Sequence, residues 1–144
     1  MKLNTNKLFV YVFLAVCCLP LLLFGSRLIW PTINDVRTGA TKEYPDIQPQ
    51  RFNQTSEKVL AAALAAAQGF NWEIRLNAPS EGLIEAVDTT PLMKFKDDVT
   101  ITVTAEGAQM LVNVRSKSRV GKGDLGANAK RIRKFQTELA RLLN

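Results

Sequence analysis

The sequence predicts an α+β domain behind an N-terminal transmembrane helix: one helix, a four-stranded, mostly antiparallel sheet, and a C-terminal helix, with the helices packed on one face of the sheet. Three observations carry this. Residues 96–118 alternate apolar and polar side chains about a glycine-containing turn. Apolar residues recur at spacings of four and three along 125–142. Leu8 to Gly25 is an uncharged, mostly apolar run of 18 residues. The chain of 144 residues is thus divided into a membrane anchor or signal segment (1–30), an extended connector (31–54) and the α+β domain (55–144).

A helix that crosses the hydrocarbon layer needs about 20 apolar residues, and Leu28 to Trp30 extend the run to that length. Trp30 then falls where interfacial aromatics are favoured. A cleaved signal peptide is the rival reading. Against it, the run is longer than the usual ~7–15 residues, and Leu23 or Phe24 stands where cleavage needs a small side chain. Lipid attachment at Cys17 is a third reading, and Val16 is bulky for the residue before such a cysteine. Lys2 and Lys7 on one side nearly balance Arg27, Arg37 and Lys42 on the other. The short charged start favours an inside N-terminus and a domain on the extracytoplasmic, periplasmic side. Cleavage would instead release an exported soluble form.

Residues 31–54 hold three prolines, a glycine and no helical period, which reads as extended chain. In "SEKVLAAALAAAQG", Ser56 can cap a helix, Glu57 suits its positive end and Gly69 can stop it. Val59, Leu60, Ala63, Leu64 and Ala67 would form its buried face. "FNWEIRL" alternates with Phe70, Trp72, Ile74 and Leu76 inward, and "LIEAVDT" reads as a shorter strand. In "KFKDDVTITVTAEGAQMLVNVRSKS", a turn at Glu106-Gly107 would set Val103 opposite Met110, Ile101 opposite Val112 and Val99 opposite Val114. The threonines at 100, 102 and 104 would take the other face. Asn128, Ile132, Phe135, Leu139 and Leu142 trace the buried stripe of the last helix, with Lys130, Arg131, Arg133 and Lys134 off it.

The chain has no histidine, and its cysteines, Cys17 and Cys18, lie inside the apolar run. The usual general base near neutral pH, a thiolate nucleophile and a thiolate metal site are therefore missing from residues 31–144, and no cofactor or metal is called for. Net charge is +6, unevenly spread: residues 31–114 carry seven basic against eleven acidic residues, whereas 115–134 carry eight basic residues against Asp124 alone. Such a dipolar domain can neutralise part of itself.

That basic segment includes "GKGDLG", which matches G-x-G-x-x-G at Gly121, Gly123 and Gly126. A dinucleotide site needs a further strand after the helix, and here the helix ends the sequence. No Walker loop is present. A weaker possibility survives, because glycines before a helix expose backbone N–H groups to an anion. In the opposing reading Asp124 caps the helix and Gly121 and Gly126 permit a tight corner, with Asn128 as part of the scaffold. The predicted register sets Asp98 opposite Arg115 and Asp97 opposite Ser116. Asp97 points toward the core and needs a partner, either Arg119 or the backbone amides of the last helix. This makes it a structural lock between hairpin and helix, or alternatively an acid or base acting with Arg119. A charge cluster without stacking aromatics argues against nucleic acid.

"INDV", "YPDIQP", "FKDDVTITV" and "VRSKSRVGKGDLGANAKRI" together resemble the family catalogued as domain of unknown function 1499, over nearly all of Ile33 to Leu142. The resemblance implies a small domain, often membrane-tethered or exported. It also implies that Asp97, Asp98, Arg115, Ser116, Ser118, Arg119, Gly121, Asp124, Gly126, Asn128, Ala129 and Arg131 act as one constellation. Two departures stand out: only "RTGATKE" separates the first two pieces, and Thr102 stands where members often have arginine. The expectation is a membrane-anchored binding or accessory module. It would dock an anionic headgroup or an acidic membrane-protein partner through Arg115, Lys117, Arg119, Lys122 and Arg131. A carboxylate-dependent, hydrolase-like enzyme and a purely structural subunit are the alternatives.

Overall fold

A computed structural model describes residues 11–13, 16–17 and 30–144. Its elements are β1 (Asp35–Arg37), β2 (Gln50–Phe52), α1 (Ser56–Gly69), β3 (Glu73–Ala78), a 3-10 turn (Pro79–Glu81), β4 (Leu83–Thr89), β5 (Lys96–Glu106), β6 (Gln109–Ser118) and α2 (Ala127–Leu143). Every strand pairing is antiparallel, in the order β3-β4-β5-β6, with β1 and β2 both along the outer edge of β6. The sheet therefore has six strands, not the four expected. The extra two come from the segment read as a connector. Three-residue strands are too short to show an alternation, yet Val36 and Ile47 are fully buried and tie this segment to the core.

The β5–β6 hairpin turns at Gly107-Ala108, one residue later than expected. Gly107 takes φ +62°, and a glycine at the first turn position is what a two-residue hairpin loop selects. Val103 now faces Val112, Ile101 faces Val114 and Val99 faces Ser116. Each partner differs by two residues from the predicted one. A shift of two keeps side-chain parity, so the apolar face is the one read from the sequence. The expected pairs Asp98–Arg115 and Asp97–Ser116 are replaced by Asp98–Lys117 and Asp97–Ser118.

Other boundaries move for local reasons. Thr55, with extended φ and ψ, caps α1 in place of Ser56 and accepts from the Lys58 N–H. The β3 strand begins at Glu73, after Asn71 takes φ 58°. A bulge between Ile74 and Leu76 turns Leu76 outward, against its predicted inward position. Leu125 and Gly126 both have positive φ, so α2 starts at Ala127.

The two helices lie on the same face of the sheet and touch each other. Asn128, Ile132, Phe135 and Leu139 are buried, as their spacing requires, while Leu142 is partly exposed. Phe135 stacks on Trp72 with ring centroids 5.7 Å apart. Each fully buried Ile132, Phe135 or Leu139 side chain stabilises by roughly 1.5–3 kcal/mol.

Among the described residues, no helix is long and apolar enough to cross a membrane. The Leu8–Trp30 stretch expected to do so lies largely outside them.

Candidate functional site: the strand-to-helix corner

At the open end of the hairpin the inward row of β5 and β6 changes from apolar to polar, ending in Asp97, Ser116 and Ser118. Asp88 of β4 lies directly across from Asp97. Two carboxylates so placed repel unless a cation joins them. Arg131 is that cation. Its Nε donates to Asp88 Oδ2 and its Nη2 to Asp97 Oδ2, each at 2.6 Å. Its Nη1 donates to Ser116 Oγ at 2.8 Å and to Asn128 Oδ1 at 2.7 Å. Asn128 accepts from Ser116 Oγ and donates through Nδ2 to Ser118 Oγ and the Asn34 carbonyl. The lock between hairpin and helix thus exists, but Arg131, not Arg119 or backbone amides, holds Asp97. Arg131 was expected on the binding surface, and its side chain is 7% exposed.

Arg131 stands three residues after Asn128 and four before Phe135, so it shares their helix face. Asp88 has the parity of the inward Ile84 and Ala86. Both roles were readable from spacing alone.

The loop from 119 to 126 is fixed from both sides. Asn34 Nδ2 donates to the Gly121 carbonyl, and the Asp124 N–H donates to the Ile33 carbonyl at 3.0 Å. Asp124 accepts from the N–H groups of Gly126 at 2.9 Å and Asn128 at 2.8 Å, so its carboxylate caps the first turn of α2. Gly121 and Gly126 have φ of +88° and +77°, which only glycine adopts without strain.

Arg115 and Arg119 lie on the other face of the sheet. Arg115 grips Asp35 with two hydrogen bonds, at 2.9 and 2.5 Å, and Arg119 grips Asp98 at 2.6–3.1 Å. Asp97 faces the core while Arg119 faces outward, so the residues considered as an acid–base pair are not brought together.

Side-chain hydrogen bonds from Arg115 and Arg119 lower the pKa values of Asp35 and Asp98 from the ordinary 3.8, against the upward push of burial. Both carboxylates therefore hold protons more weakly when folded. Their contribution is complete above the unfolded value and is lost as pH falls through the folded values. Melting temperature should fall as pH drops below 3.8, and fall less in the Asp35→Asn, Asp98→Asn double variant. An identical fall in both proteins would mean that these pairs contribute nothing.

Among the described residues, every arginine except Arg37 forms an ion pair, and no lysine does. The basic segment divides accordingly. Arg115, Arg119, Arg131 and Arg133 are answered by Asp35, Asp98, Asp88 with Asp97, and Asp46. Lys117, Lys122, Lys130 and Lys134 are exposed and without such partners.

Lys130 and Lys134, one turn apart, line an open groove of about 1050 Å³ with Trp30, Tyr44, Leu125 and Arg133. Of the acids around it, Asp124 is engaged by backbone amides, Asp46 by Arg133 and Glu138 by Arg141, whereas Glu43, next to Tyr44, forms no ion pair among the described residues. The Arg133 guanidinium lies 5.3 Å from the centre of the Tyr44 ring. Tyr44 Oη is buried and makes no hydrogen bond to a described residue. Burial, with the Asp124 charge, raises its pKa, so the phenol stays protonated and able to donate. Trp30 packs against Gly126: a Cβ there would lie 2.6 Å from Trp30 Cδ1. Neither Trp30 nor Tyr44 was singled out for this site from the sequence, because Trp30 was assigned to the membrane boundary and Tyr44 to the connector. Among the described residues, no group of three or more histidine, cysteine or acidic side chains is gathered as metal ligands would be.

No curated protein matches the chain. A family model does match, over residues 28–139, which includes β1, the hairpin, the Arg131 network and most of α2. The chain belongs to the family described as protein of unknown function, DUF1499.

Proposed function

We propose that this is a membrane-tethered, extracytoplasmic binding module that takes an anionic group in the groove at the start of α2. One observation carries the reading: internal partners neutralise the arginines of the corner and leave Lys130 and Lys134 free beside two aromatic rings and a buried phenol. A phosphate or carboxylate there would gain charge-assisted hydrogen bonds from both ammonium groups. The binding residues are therefore Lys130 and Lys134, with Tyr44 in the groove wall and Lys122 enlarging the positive field. The apolar run up to Trp30 supplies the tether, and the charged start at Lys2 and Lys7 supports a domain outside the cytoplasm.

Titration of the full-length protein in detergent with inorganic pyrophosphate tests the groove. Because both lysines are exposed and unpaired, Lys130→Glu with Lys134→Glu should leave the melting temperature nearly unchanged. Affinity should fall at least about tenfold, which corresponds to ~1.4 kcal/mol. Equal affinity in both proteins would refute the groove. A C-terminal reporter fusion active only in the cytoplasm would refute the location.

A further inference from the structure

Large apolar side chains from residue 30 onward that are more than half exposed gather at one end of the domain: Leu92 at 88%, Met93 at 62%, Val120 at 60% and Leu125 at 66%. Three contacts bring them together. The Arg119 N–H bonds the Lys96 carbonyl, which joins the corner to the loop between β4 and β5. The Thr90 N–H bonds the Phe95 carbonyl, which closes that loop and pushes its tip outward. Pro91 lines a cleft with Ala127 and Lys130, while Leu125 and Trp30 line the adjoining groove with the same two residues. Lys94, Lys96, Lys122 and Lys130 alternate with these apolar tips and are all exposed. Isolated exposed apolar residues need no explanation, but several at one end, ringed by cations, mark a contact surface.

We infer that this end of the domain seats directly on an anionic bilayer, with Leu92, Met93, Val120 and Leu125 entering the headgroup–acyl boundary and the lysines meeting lipid phosphates. Two features select a bilayer as the occupant. The apolar run of the N-terminal segment ends at Trp30, which lies against Gly126 at this same end. A chain tethered there is held with these tips close to the lipid. Lysines interleaved with protruding apolar side chains are also the pattern of interfacial binding, in which apolar burial and attraction to anionic lipid act together. The inference rests on the tether reading and adds an orientation: the end carrying 91–95 and 119–126 faces the membrane, and the Gly107-Ala108 turn points away. The β5 strand alone separates the two ends by roughly 30 Å.

The test uses the full chain with Cys17→Ser and Cys18→Ser, reconstituted in vesicles of phosphatidylcholine and phosphatidylglycerol in equal parts. An environment-sensitive fluorophore is placed at Leu92→Cys, at Leu125→Cys or at Ala108→Cys. The first two labels should be blue-shifted in the vesicles and quenched by lipids spin-labelled near the top of the acyl chain, and the third should stay as it is in water. Vesicles of phosphatidylcholine alone should weaken the quenching severalfold. Undiminished quenching there would overturn the role given to the lysines. If alkaline carbonate leaves the protein in the vesicles while the label at 92 stays in water, the seating falls and the tether stands. If the protein washes off, both fall. A blue-shifted label untouched by the spin-labelled lipids would assign this end to a protein neighbour and overturn the proposal.

Discussion

Arg131→Met should destabilise the domain by about 3–5 kcal/mol, because it removes the cation from a buried network and leaves its anions behind. That loss lowers the melting temperature by roughly 10–20 °C in a domain of this size. Asp97 is 2% exposed and sits across from Asp88, so without the guanidinium a buried carboxylate faces a second, partly exposed one with no cation between them. Asn128 Oδ1 and Ser116 Oγ each lose a donor as well. Arg119→Met is the contrasting case. Its partner, Asp98, is half exposed and can be hydrated, so thermal stability should barely move. Changing the whole cluster together, with Asp97→Leu and Asp88→Val alongside Arg131→Met, should recover part of the loss, since buried ion pairs can be replaced by apolar groups more cheaply than they can be broken. An Arg131→Met protein that melts with the unaltered one would show that the network is not what joins the hairpin to α2.

The same network shows how far the sequence could be read. Side-chain parity along β5 and β6 was legible because an error of two residues in the turn returns every side chain to its own face. The partners of Asp97 and Asp98 depend on the register itself, and that is set by the positive φ at Gly107. Hence Asp97 was correctly aimed at the core but given the wrong cation. Arg131 was misplaced for a different reason. Apolar spacing assigns Ile132 and Phe135 to the inner face and treats every charge as outward, yet a residue three after Asn128 and four before Phe135 shares that face. β1 and β2 were invisible because their pairing depends on a free edge of β6, which only the assembled sheet offers. The split between paired arginines and free lysines was equally out of reach. It is a property of distances between segments as far apart as Asp35 and Arg115, and planar guanidinium groups satisfy carboxylates in a geometry that ammonium groups do not copy.

Gly82→Ala is the second substitution expected to have a large effect. Gly82 ends the 3-10 turn with φ +64° and ψ 32°, and its carbonyl accepts from the Val103 N–H at 2.8 Å. A left-handed conformation costs a residue with a side chain about 1–2 kcal/mol. The added Cβ would also lie 2.1 Å from the Val103 carbonyl oxygen, a backbone atom held in the middle of the sheet. Relief requires β4 and β5 to part locally, and crowding of this kind adds about 1–3 kcal/mol. The total, roughly 2–5 kcal/mol, should appear as a lower denaturation midpoint with an unchanged denaturant slope. Gly126→Ala has a similar backbone penalty, but its Cβ meets the Trp30 ring, a side chain that can rotate away. Its loss should stop near the conformational cost of about 1–2 kcal/mol, while Trp30 becomes more accessible to a solvent quencher than it is in the unaltered protein. The two glycines therefore separate fold from site. One holds β4 against β5 and should affect stability alone; the other allows Trp30 to close one wall of the groove, so its replacement should weaken anion binding more than its cost in stability explains. A Gly126→Ala protein that binds pyrophosphate with unchanged affinity would remove Trp30 from the binding surface.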